Sequence, residues 1–332
     1  MTGQLRVTPE YLRAWGTHTH GSPLYQHLIG VIATDTELLR VINRIENQPP
    51  PNMLLGGVHY LLMKTPSEEL AGFYASLTGD PRPFTQVDEA FTQFVLANEE
   101  TLVELGRTRF TQTNECRRCV ALLPGILWSG FDAFHLIEVG TSAGLNLGID
   151  TYAFDYGGAE WGPDSAVKLV AESKGADFEF RDFEVLSRVG IDLNPIDPTN
   201  DDERLWLEAL IWPEHSERRE RLKAALELVA TLDIRFERGD ALDLLGPVLD
   251  ELPPGEPAIV MNSFVLIQFT NQQRARLEEI VDLARSARPI HRVSLEALIK
   301  SRTWAYLSVN DGSGMREIGQ AHPHGEWIDL YA

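Results

Sequence analysis

The chain is poor in cysteine and in basic residues, and it contains no long apolar run. Only Cys116 and Cys119 occur among its 332 residues, and two cysteines are too few for a framework of disulfide bonds. The longest apolar runs, near residues 121–128 and 258–269, fall short of the ~20 residues that a membrane-spanning helix needs. The segment MTGQLRVTPE lacks the apolar stretch of a secretory signal. We therefore expect a cytoplasmic protein without a membrane segment.

Acidic residues outnumber basic residues by 49 to 29, and the formal net charge is -20 at pH 7. A field of this sign repels phosphate backbones and anionic lipid surfaces. We therefore expect a small-molecule substrate and neither a nucleic-acid nor a membrane partner, with the oligomeric state left open. The composition, 43% hydrophobic and 23% charged, is that of a globular protein, and the length suits two domains.

The first part of the chain is predicted to form a helical domain over residues 1–131. Apolar residues recur at helical spacing behind Asp35, a residue type that caps helices, and again in a later stripe that predicts a second helix. The first set is Leu38, Leu39, Val41, Ile42 and Ile45, and the second is Phe91, Phe94, Val95, Leu102 and Leu105. The proline-rich segments NQPPPN and GDPRPF predict loops.

From residue 132 onward, short apolar runs alternate with helical stretches, a pattern typical of a mostly parallel sheet covered by helices on both faces. The predicted strands are residues 135–139, 188–193, 234–238, 258–262 and 291–295. Two further segments, VKLVAES and DFEFRDFE, predict an inserted ribbon at about 152–185. The segments TWAYLSV and EWIDLYA predict the last two strands, joined by a glycine-rich turn at 311–314. The fold class is therefore α/β, with a Rossmann-like domain over residues 132–332.

A turn of small residues follows the first predicted strand in the segment HLIEVGTSAGLNL. The dinucleotide pattern G-x-G-x-x-G would require glycine where the chain has Ser142 and Leu145, which disfavours an NAD-dependent oxidoreductase. The turn resembles the G-x-G-x-G turn of class I S-adenosylmethionine-dependent methyltransferases, with Gly140 and Gly144 retained and Ser142 between them. Because methionine-linked adenosine has no pyrophosphate to seat against the backbone, a small serine is tolerable at the middle position.

Several segments together resemble a bacterial family known only as a domain of unknown function, for which a methyltransferase-like C-terminal part is implied. These segments are SPLYQHL, QTNE, EVGTSAGLNLGIDTYAFDYG, GIDLNPID, LIWPE and HPHGEW. The methyltransferase resemblance implies that Glu138, suited to the cofactor's ammonium group, begins the first motif. Gly140, Ser142 and Gly144 complete that motif.

The same resemblance implies roles for residues at later strand ends. Asp192 matches the acid that binds the ribose hydroxyls, with Asp197 as the alternative because the inserted ribbon lengthens the spacing. Asp240 matches the acid that meets the adenine amino group. Asn262 and Ser263 stand where the superfamily has its catalytic or substrate-facing loop. The Asp/Asn-Pro-Pro-aromatic signature is absent, which makes an exocyclic base amine a less expected acceptor.

Other polar residues are candidates for catalysis. In the segment QTNECRRC, Glu115 would serve as a general base if burial raised its pKa, and His322 is a second candidate. The alternative for this segment is structural, with Asn114 capping a helix within a hydrogen-bond network. Cys116 and Cys119 form a single C-x-x-C pair, and we expect no metal site.

These observations predict a methyltransferase that uses S-adenosylmethionine to methylate an N, O or S atom of a small molecule. The helical domain would then supply the lid and the substrate specificity. A protein that binds S-adenosylmethionine or another nucleoside without catalysis is the main alternative, followed by the NAD-dependent oxidoreductase.

Overall fold

The computed structural model describes residues 7–17, 19, 21–47, 49–297 and 304–331. The chain divides into two compact units. Unit 1 comprises Met1–Thr113 and Asp201–Glu220, and unit 2 comprises Asn114–Asn200 and Arg221–Ala332. Among the described residues, no helix is both long enough and apolar enough to cross a membrane.

Unit 1 is built from helices whose starts are set by capping side chains and prolines. Its α-helices are α1 (Pro9–Gly16), α2 (Pro23–Thr34), α3 (Thr36–Ile42), α4 (Pro50–Lys64), α5 (Asp88–Ala97), α6 (Glu99–Thr108) and α8 (Asp201–Ala209). The side chains of Thr8, Ser22 and Asp35 accept backbone N–H groups at the starts of α1, α2 and α3. Short 3₁₀ helices lie at Glu69–Phe73 and Phe84–Gln86.

Two expectations for unit 1 are corrected by the structure. The apolar stripe from Phe91 to Leu105 belongs to two helices, because Asn98 has a non-helical backbone and its side chain donates to the Phe94 carbonyl. The segment NQPPPN is not entirely a loop, since α4 begins at Pro50. Proline is tolerated in the first turn of a helix, where its missing N–H would have no partner in any case.

Unit 2 contains a large sheet, a small sheet and the helices that cover them. Its α-helices are α7 (Cys119–Trp128), α10 (Ala241–Glu251) and α11 (Asn271–Ala284), while α9 (Ser216–Val229) begins in unit 1 and ends in unit 2. The strands are β1 (Ala133–Val139), β2 (Ala153–Asp155), β3 (Glu160–Trp161), β4 (Lys168–Val170), β5 (Glu172–Gly175), β6 (Glu184–Asp192), β7 (Ile234–Arg238), β8 (Ala258–Ser263), β9 (Ile290–Glu296), β10 (Ala305–Asn310), β11 (Arg316–Ala321) and β12 (Trp327–Leu330).

The large sheet has nine strands within the described residues, in the order β5-β12-β11-β10-β9-β8-β1-β6-β7. The five strands from β9 to β7 are parallel, and β10, β11 and β12 each pair antiparallel with the strand before them. The predicted α/β class with a mostly parallel sheet is confirmed. β7 has the predicted bounds, whereas β6 begins at Glu184 rather than at residue 188.

Three strand expectations are corrected. The segment DFEFRDFE forms no strand before Glu184, and the inserted region instead places β2, β3 and β4 in a separate three-stranded sheet. Its remaining strand, β5, joins the large sheet beside β12. The glycine-rich turn at 311–314 leads to β11, a strand that the sequence expectation omitted. Half of the residues of β11 are polar, and its first two residues are exposed, so alternation of apolar residues does not mark it.

Helices pack on both faces of the parallel strands. An apolar core joins α10 and α11 to one face of β1, β6 and β8. On α7, a Cβ at Gly125 would lie 2.6 Å from Val293 of β9 and 3.2 Å from Leu307 of β10, so the helix lies close against the sheet. Residues 114–131 therefore belong with the sheet, although the sequence changes character only at residue 132, where the strands begin. The first segment of unit 1 therefore ends at Thr113, whereas the sequence predicts a boundary at residue 131.

The topology places a change of strand direction at the carboxyl ends of β1 and β8. From β1 the chain continues to β6 on one side, and the later strand β8 pairs with β1 on the other side. In open α/β sheets, ligands bind outside the carboxyl ends of the strands at such a change of direction. The turn at Gly140 follows β1, and Ser263 ends β8.

Candidate functional site

Three residues in the turn after β1 have a left-handed backbone conformation. The φ angle is 78° at Gly140, 50° at Ser142 and 75° at Gly144. Glycine adopts such angles without steric cost, whereas serine is strained there. Packing also requires glycine at position 140, because a Cβ there would lie 2.6 Å from Cγ2 of Val265. The serine at the middle position of the turn therefore occupies a backbone conformation that suits glycine.

Two partners hold Ser142 in this conformation. Its N–H donates to Oδ2 of Asp192 at 2.8 Å, and its hydroxyl accepts from Nδ2 of Asn114 at 3.0 Å. Asn114 is thus a structural partner of the turn and not a helix cap. The cap at the 3₁₀ helix Cys116–Arg118 is Glu115, whose carboxylate accepts from the Arg117 N–H.

The backbone N–H groups of the turn are all engaged within unit 2. Their acceptors are the Ile191 carbonyl for Gly140 and Thr141, Asp192 for Ser142, Asn114 for Ala143 and the Thr141 carbonyl for Gly144. The following residues form a seven-residue 3₁₀ helix, Leu145–Thr151. The turn consequently lacks the row of free N–H groups that binds a pyrophosphate in dinucleotide sites.

Glu138 lies beneath the turn and is 1% exposed. One carboxyl oxygen accepts from the Thr141 hydroxyl at 2.8 Å and the other from Nδ2 of Asn146 at 2.7 Å. Burial raises the pKa of Glu138 to about 8, although both hydrogen bonds oppose the shift. The expected contact with a cofactor ammonium group does not fit this position, because the carboxyl group is almost wholly buried beneath the turn. Glu138 instead fixes the shape of the turn.

Asp192 and Asp240 lie at the carboxyl ends of neighbouring parallel strands. Asp192 is the last residue of β6, and its carbonyl accepts from the N–H of Gly239 at 3.0 Å, one residue before Asp240. The Asp192 carboxylate accepts one N–H on each oxygen, from Ser142 and from Asn194. A carboxylate offers about four lone-pair positions, so Asp192 retains acceptor capacity for two hydroxyl groups.

Both polar and apolar groups lie near these acids in the chain. Asp240 is exposed and caps α10, with Oδ1 accepting from the Leu242 N–H at 2.9 Å. Leu193, directly after Asp192, is 71% exposed. Asp197, the alternative ribose acid, accepts from the backbone and hydroxyl of Thr199 in the next loop. An exposed apolar side chain next to an acid suits a flat aromatic ring that carries polar groups at its edges.

Asn262 is committed to the interior of the sheet. Its Nδ2 donates to Ser294 at 3.0 Å and to Glu296 at 2.7 Å, and its Oδ1 accepts from Arg292 at 2.7 Å. Arg292 is itself ion-paired with Glu278 on α11. Both amide hydrogens of Asn262 are therefore used by the protein, which leaves it unsuited to the cofactor role that the resemblance implies.

The carboxyl ends of β8 and β9 carry polar atoms without partners among the described residues. These atoms are the hydroxyl of Ser263 and Oε2 of Glu296, and both side chains are buried. The other oxygen of Glu296 accepts the N–H groups of Val265 and Leu266. A buried polar atom without a partner costs free energy, so this strand end is suited to a polar ligand.

A positively charged side chain, that of Arg118, lies close to the end of β8. The guanidinium of Arg118 lies 4.2 Å from the ring centroid of Phe264, the residue after β8, and its Nε donates to the Pro323 carbonyl at 3.1 Å. Its charge lowers the pKa values of both Glu138 and Glu296, although burial raises each of them more strongly. Arg118 therefore links the turn after β1 electrostatically with the end of β9.

The two catalytic candidates differ in their surroundings. Glu115 is 4% exposed, and its carboxylate accepts from Nε of Arg221 at 3.2 Å, so a neighbouring cation balances its charge. His322 is partly buried, and its Nδ1 accepts from the His324 N–H at 3.4 Å. Burial lowers the pKa of His322, while the nearby charge of Glu115 raises it. The structure thus brings both candidates into one electrostatic neighbourhood.

The cysteines and aromatic residues near the turn have packing roles. Cys116 and Cys119 are buried and unbonded to each other, and burial raises the pKa of Cys119. The hydroxyl of Tyr152 donates to the Leu145 carbonyl, and that of Tyr156 to the Val120 carbonyl. Across the described part of the chain, no group of three metal-ligating side chains occurs. The pair His18 and His20 lies outside the described residues.

Sequence reasoning missed several residues that shape this site. Thr141 and Asn146 hydrogen-bond to Glu138. Both lie inside the segment HLIEVGTSAGLNL, so the sequence offered their position as a clue. Glu296 was visible as the acid directly after the predicted strand at 291–295. Arg118 and Phe264 gave no such signal, because their contact joins segments that are far apart in the chain.

The comparisons with known proteins address the whole chain. A family model described as "Uncharacterized protein conserved in bacteria (DUF2332)" matches residues 10–330. The chain belongs to the DUF2332 family. No match was found among curated proteins. The description of the DUF2332 family assigns no reaction to its members.

Proposed function

We propose that unit 2 binds S-adenosylmethionine at the carboxyl edge of the large sheet and transfers its methyl group to a nitrogen, oxygen or sulfur atom of a small molecule. One observation carries this proposal. The turn at 140–144, Asp192 and Asp240 follow three adjacent parallel strands, and hydrogen bonds join the turn to Asp192 and Asp192 to the Gly239 backbone.

The strand order supports a Rossmann-like arrangement of the parallel strands. When the parallel strands β1, β6, β7, β8 and β9 are numbered in chain order, their spatial order is 3-2-1-4-5. This is the order of the first five strands in the dinucleotide-binding fold. Beyond β9, the sheet continues with β10 and β11, which pair antiparallel.

The residues at this edge fit an adenosyl group. Asp192 has lone pairs free for the ribose hydroxyls, and the exposed Asp240 can accept from the adenine amino group. Leu193 offers an exposed apolar surface to the adenine ring. The engaged N–H groups of the turn favour a ligand without a pyrophosphate over a nicotinamide dinucleotide.

The protein's contribution to methyl transfer is to align the acceptor, exclude water and receive a proton. When bound, S-adenosylmethionine supplies an electrophilic methyl group. Buried polar atoms at Ser263 and Glu296 would orient a polar acceptor, and alignment of this kind supplies most of the rate for a direct displacement. If the acceptor loses a proton, the imidazole of His322 is the first candidate to receive it, since burial lowers its pKa and favours the neutral ring. Glu115 is the second candidate base.

A thermal-shift comparison of S-adenosylmethionine, S-adenosylhomocysteine and NAD tests the binding step. A ligand at 100 times its dissociation constant adds about 2.7 kcal/mol of stability. We expect stabilisation by the two adenosyl compounds and none by NAD. Stabilisation by NAD alone would support the oxidoreductase reading and contradict the proposal.

A matched pair of variants tests the role of Asp240. Asp240→Asn keeps an oxygen to cap α10 but turns an N–H group toward the adenine amino group, and we expect about tenfold weaker binding of S-adenosylhomocysteine. Asp243→Asn, an exposed change in the first turn of the same helix, should leave binding unchanged. Formation of S-adenosylhomocysteine in the presence of an acceptor then separates an enzyme from a protein that only binds the cofactor.

A further inference from the structure

Unit 1 contains a buried cluster of aromatic and charged side chains that methyl transfer does not use. Its members are Tyr25, His59, Tyr74, Trp212, Glu214 and Arg219. The Tyr25 ring lies 6.4 Å from the rings of both Tyr74 and Trp212, and the His59 ring lies 5.3 Å from Tyr74, measured between centroids. Tyr25 lies in SPLYQHL, and Trp212 and Glu214 lie in LIWPE. Two segments that carry the family resemblance thus meet in one place.

Three polar atoms of this cluster have no partner among the described residues. They are the hydroxyl oxygen of Tyr74, Oε2 of Glu214 and Nη1 of Arg219. Arg219 is 6% exposed, and Glu214 uses only its other oxygen, which accepts from the Leu24 N–H at 3.1 Å. A buried charge without a partner is strongly destabilising, because burial removes its hydration and nothing replaces it.

The charged groups of the cluster act on its rings. Burial raises the pKa values of Tyr25 and Tyr74, and the charge of Glu214 raises them further, while the charge of Arg219 adds to the burial that lowers the pKa of His59. With burial as the main cause, the pKa of His59 falls to about 4, so its ring is neutral at pH 7. Its nitrogens are occupied by the Ala209 carbonyl and the Ser76 hydroxyl. The opposed charges in the cluster are therefore Arg219 and Glu214.

These two opposed charges do not form an ion pair with each other, although Arg219 is buried and Oε2 of the half-buried Glu214 is also shielded from solvent. We propose that the cluster is a binding site for a small zwitterion, whose anionic group is held by Arg219 and Tyr74 and whose ammonium group is held by Glu214. Arg219 and Tyr74 are both hydrogen-bond donors, and Glu214 is an acceptor, so a zwitterion would satisfy all three atoms at once. This site lies within unit 1 and does not depend on the proposed methyl transfer.

Calorimetric titration of the full-length protein with three zwitterions tests the site. Glycine, β-alanine and γ-aminobutyrate separate their charged groups by one, two and three carbons, so the panel samples the spacing of the site. Because the three protein atoms lie below the surface, exchange requires local opening, and each probe is given a long equilibration. We expect at least one zwitterion to bind at least tenfold more tightly than either acetate or methylammonium. If acetate bound as tightly as the best zwitterion, the role of Glu214 would be contradicted.

Variants with opposite expected effects separate a binding role from a structural one. Arg219→Met and Tyr74→Phe should weaken zwitterion binding at least tenfold, yet raise the thermal midpoint of the ligand-free protein, because each removes an unsatisfied buried group. Arg13→Gln, which changes an exposed arginine on α1, should alter neither quantity. The proposal is overturned if no zwitterion binds. It is equally overturned if both cluster variants lower the midpoint or bind the probe as tightly as the unaltered protein.

Discussion

The turn after β1 and the cluster around Arg219 are both polar and buried, but they differ in how their polar groups are satisfied. In the turn, each N–H from Gly140 to Gly144 and both oxygens of Glu138 have protein partners. In the cluster, one atom each of Tyr74, Glu214 and Arg219 has none among the described residues. Satisfied groups fix a backbone shape, whereas unsatisfied groups lower stability until a ligand supplies their partners. Removing a polar group should therefore destabilise the turn and stabilise the cluster.

The largest expected effect concerns the pH dependence of stability at Glu138. Its raised pKa means that the folded protein retains a proton that the unfolded chain releases between about pH 4.5 and about pH 8. The contribution of this group to the free energy of unfolding is therefore full at low pH and falls by about 1.4 kcal/mol per pH unit across that window.

The variant Glu138→Gln isolates this contribution, because its neutral amide can still accept from Asn146 and donate to Thr141. Chemical unfolding between about pH 5 and about pH 8 should show a flatter profile for the variant than for the unaltered protein. Parallel profiles would show that Glu138 is ionised in the folded state. Glu138→Ala should be destabilised at every pH and should lose S-adenosylmethionine binding, because Thr141 and Asn146 then lose their shared partner.

The next effect concerns Asp192. Asp192→Ala removes the acceptor of two backbone N–H groups, so we expect a loss of about 2 kcal/mol in unfolding free energy. Binding of S-adenosylhomocysteine should weaken at least tenfold in the same variant. Asp197→Ala is the matched comparison, and it should leave binding intact. The opposite pattern would assign the ribose to Asp197.

A smaller effect separates the two constraints on Ser142. Both Ser142→Ala and Ser142→Gly lose the hydrogen bond from Asn114, but only glycine relieves the strain of a φ angle of 50°. We expect the alanine variant to be less stable than the glycine variant by about 1 kcal/mol in chemical unfolding. Equal stability of the two variants would mean that the left-handed conformation imposes no strain.

The smallest effect has the opposite sign and lies in the cluster. Tyr74→Phe removes a buried hydroxyl that has no partner, so the ligand-free protein should gain about 1 kcal/mol in unfolding free energy. With a zwitterion bound, the unaltered protein should instead have the higher unfolding free energy of the two. A loss of stability in the ligand-free variant would place Tyr74 in the same class as the partnered residues of the turn.

Local pattern was enough to predict the parallel strands but not the contacts that build the sites. β7 was predicted at its observed bounds because its sequence IRFER alternates apolar with charged residues between turn residues, whereas β11 was missed because REIGQA has no such alternation. The position of Glu138 at the strand end was predicted, but its burial was not, since that depends on Thr141 and Asn146 folding back over it. The cluster was beyond local reasoning, because the rings of Tyr25, Tyr74 and Trp212 come together only through tertiary packing.

The most direct test of the central claim is the affinity of the protein for S-adenosylhomocysteine, measured by calorimetric titration with the Asp240→Asn and Asp243→Asn variants alongside. We predict saturable binding at one site, weakened about tenfold by Asp240→Asn and unaffected by Asp243→Asn. Absence of binding to the unaltered protein, or equal binding by both variants, would contradict an adenosyl site at the ends of β1, β6 and β7.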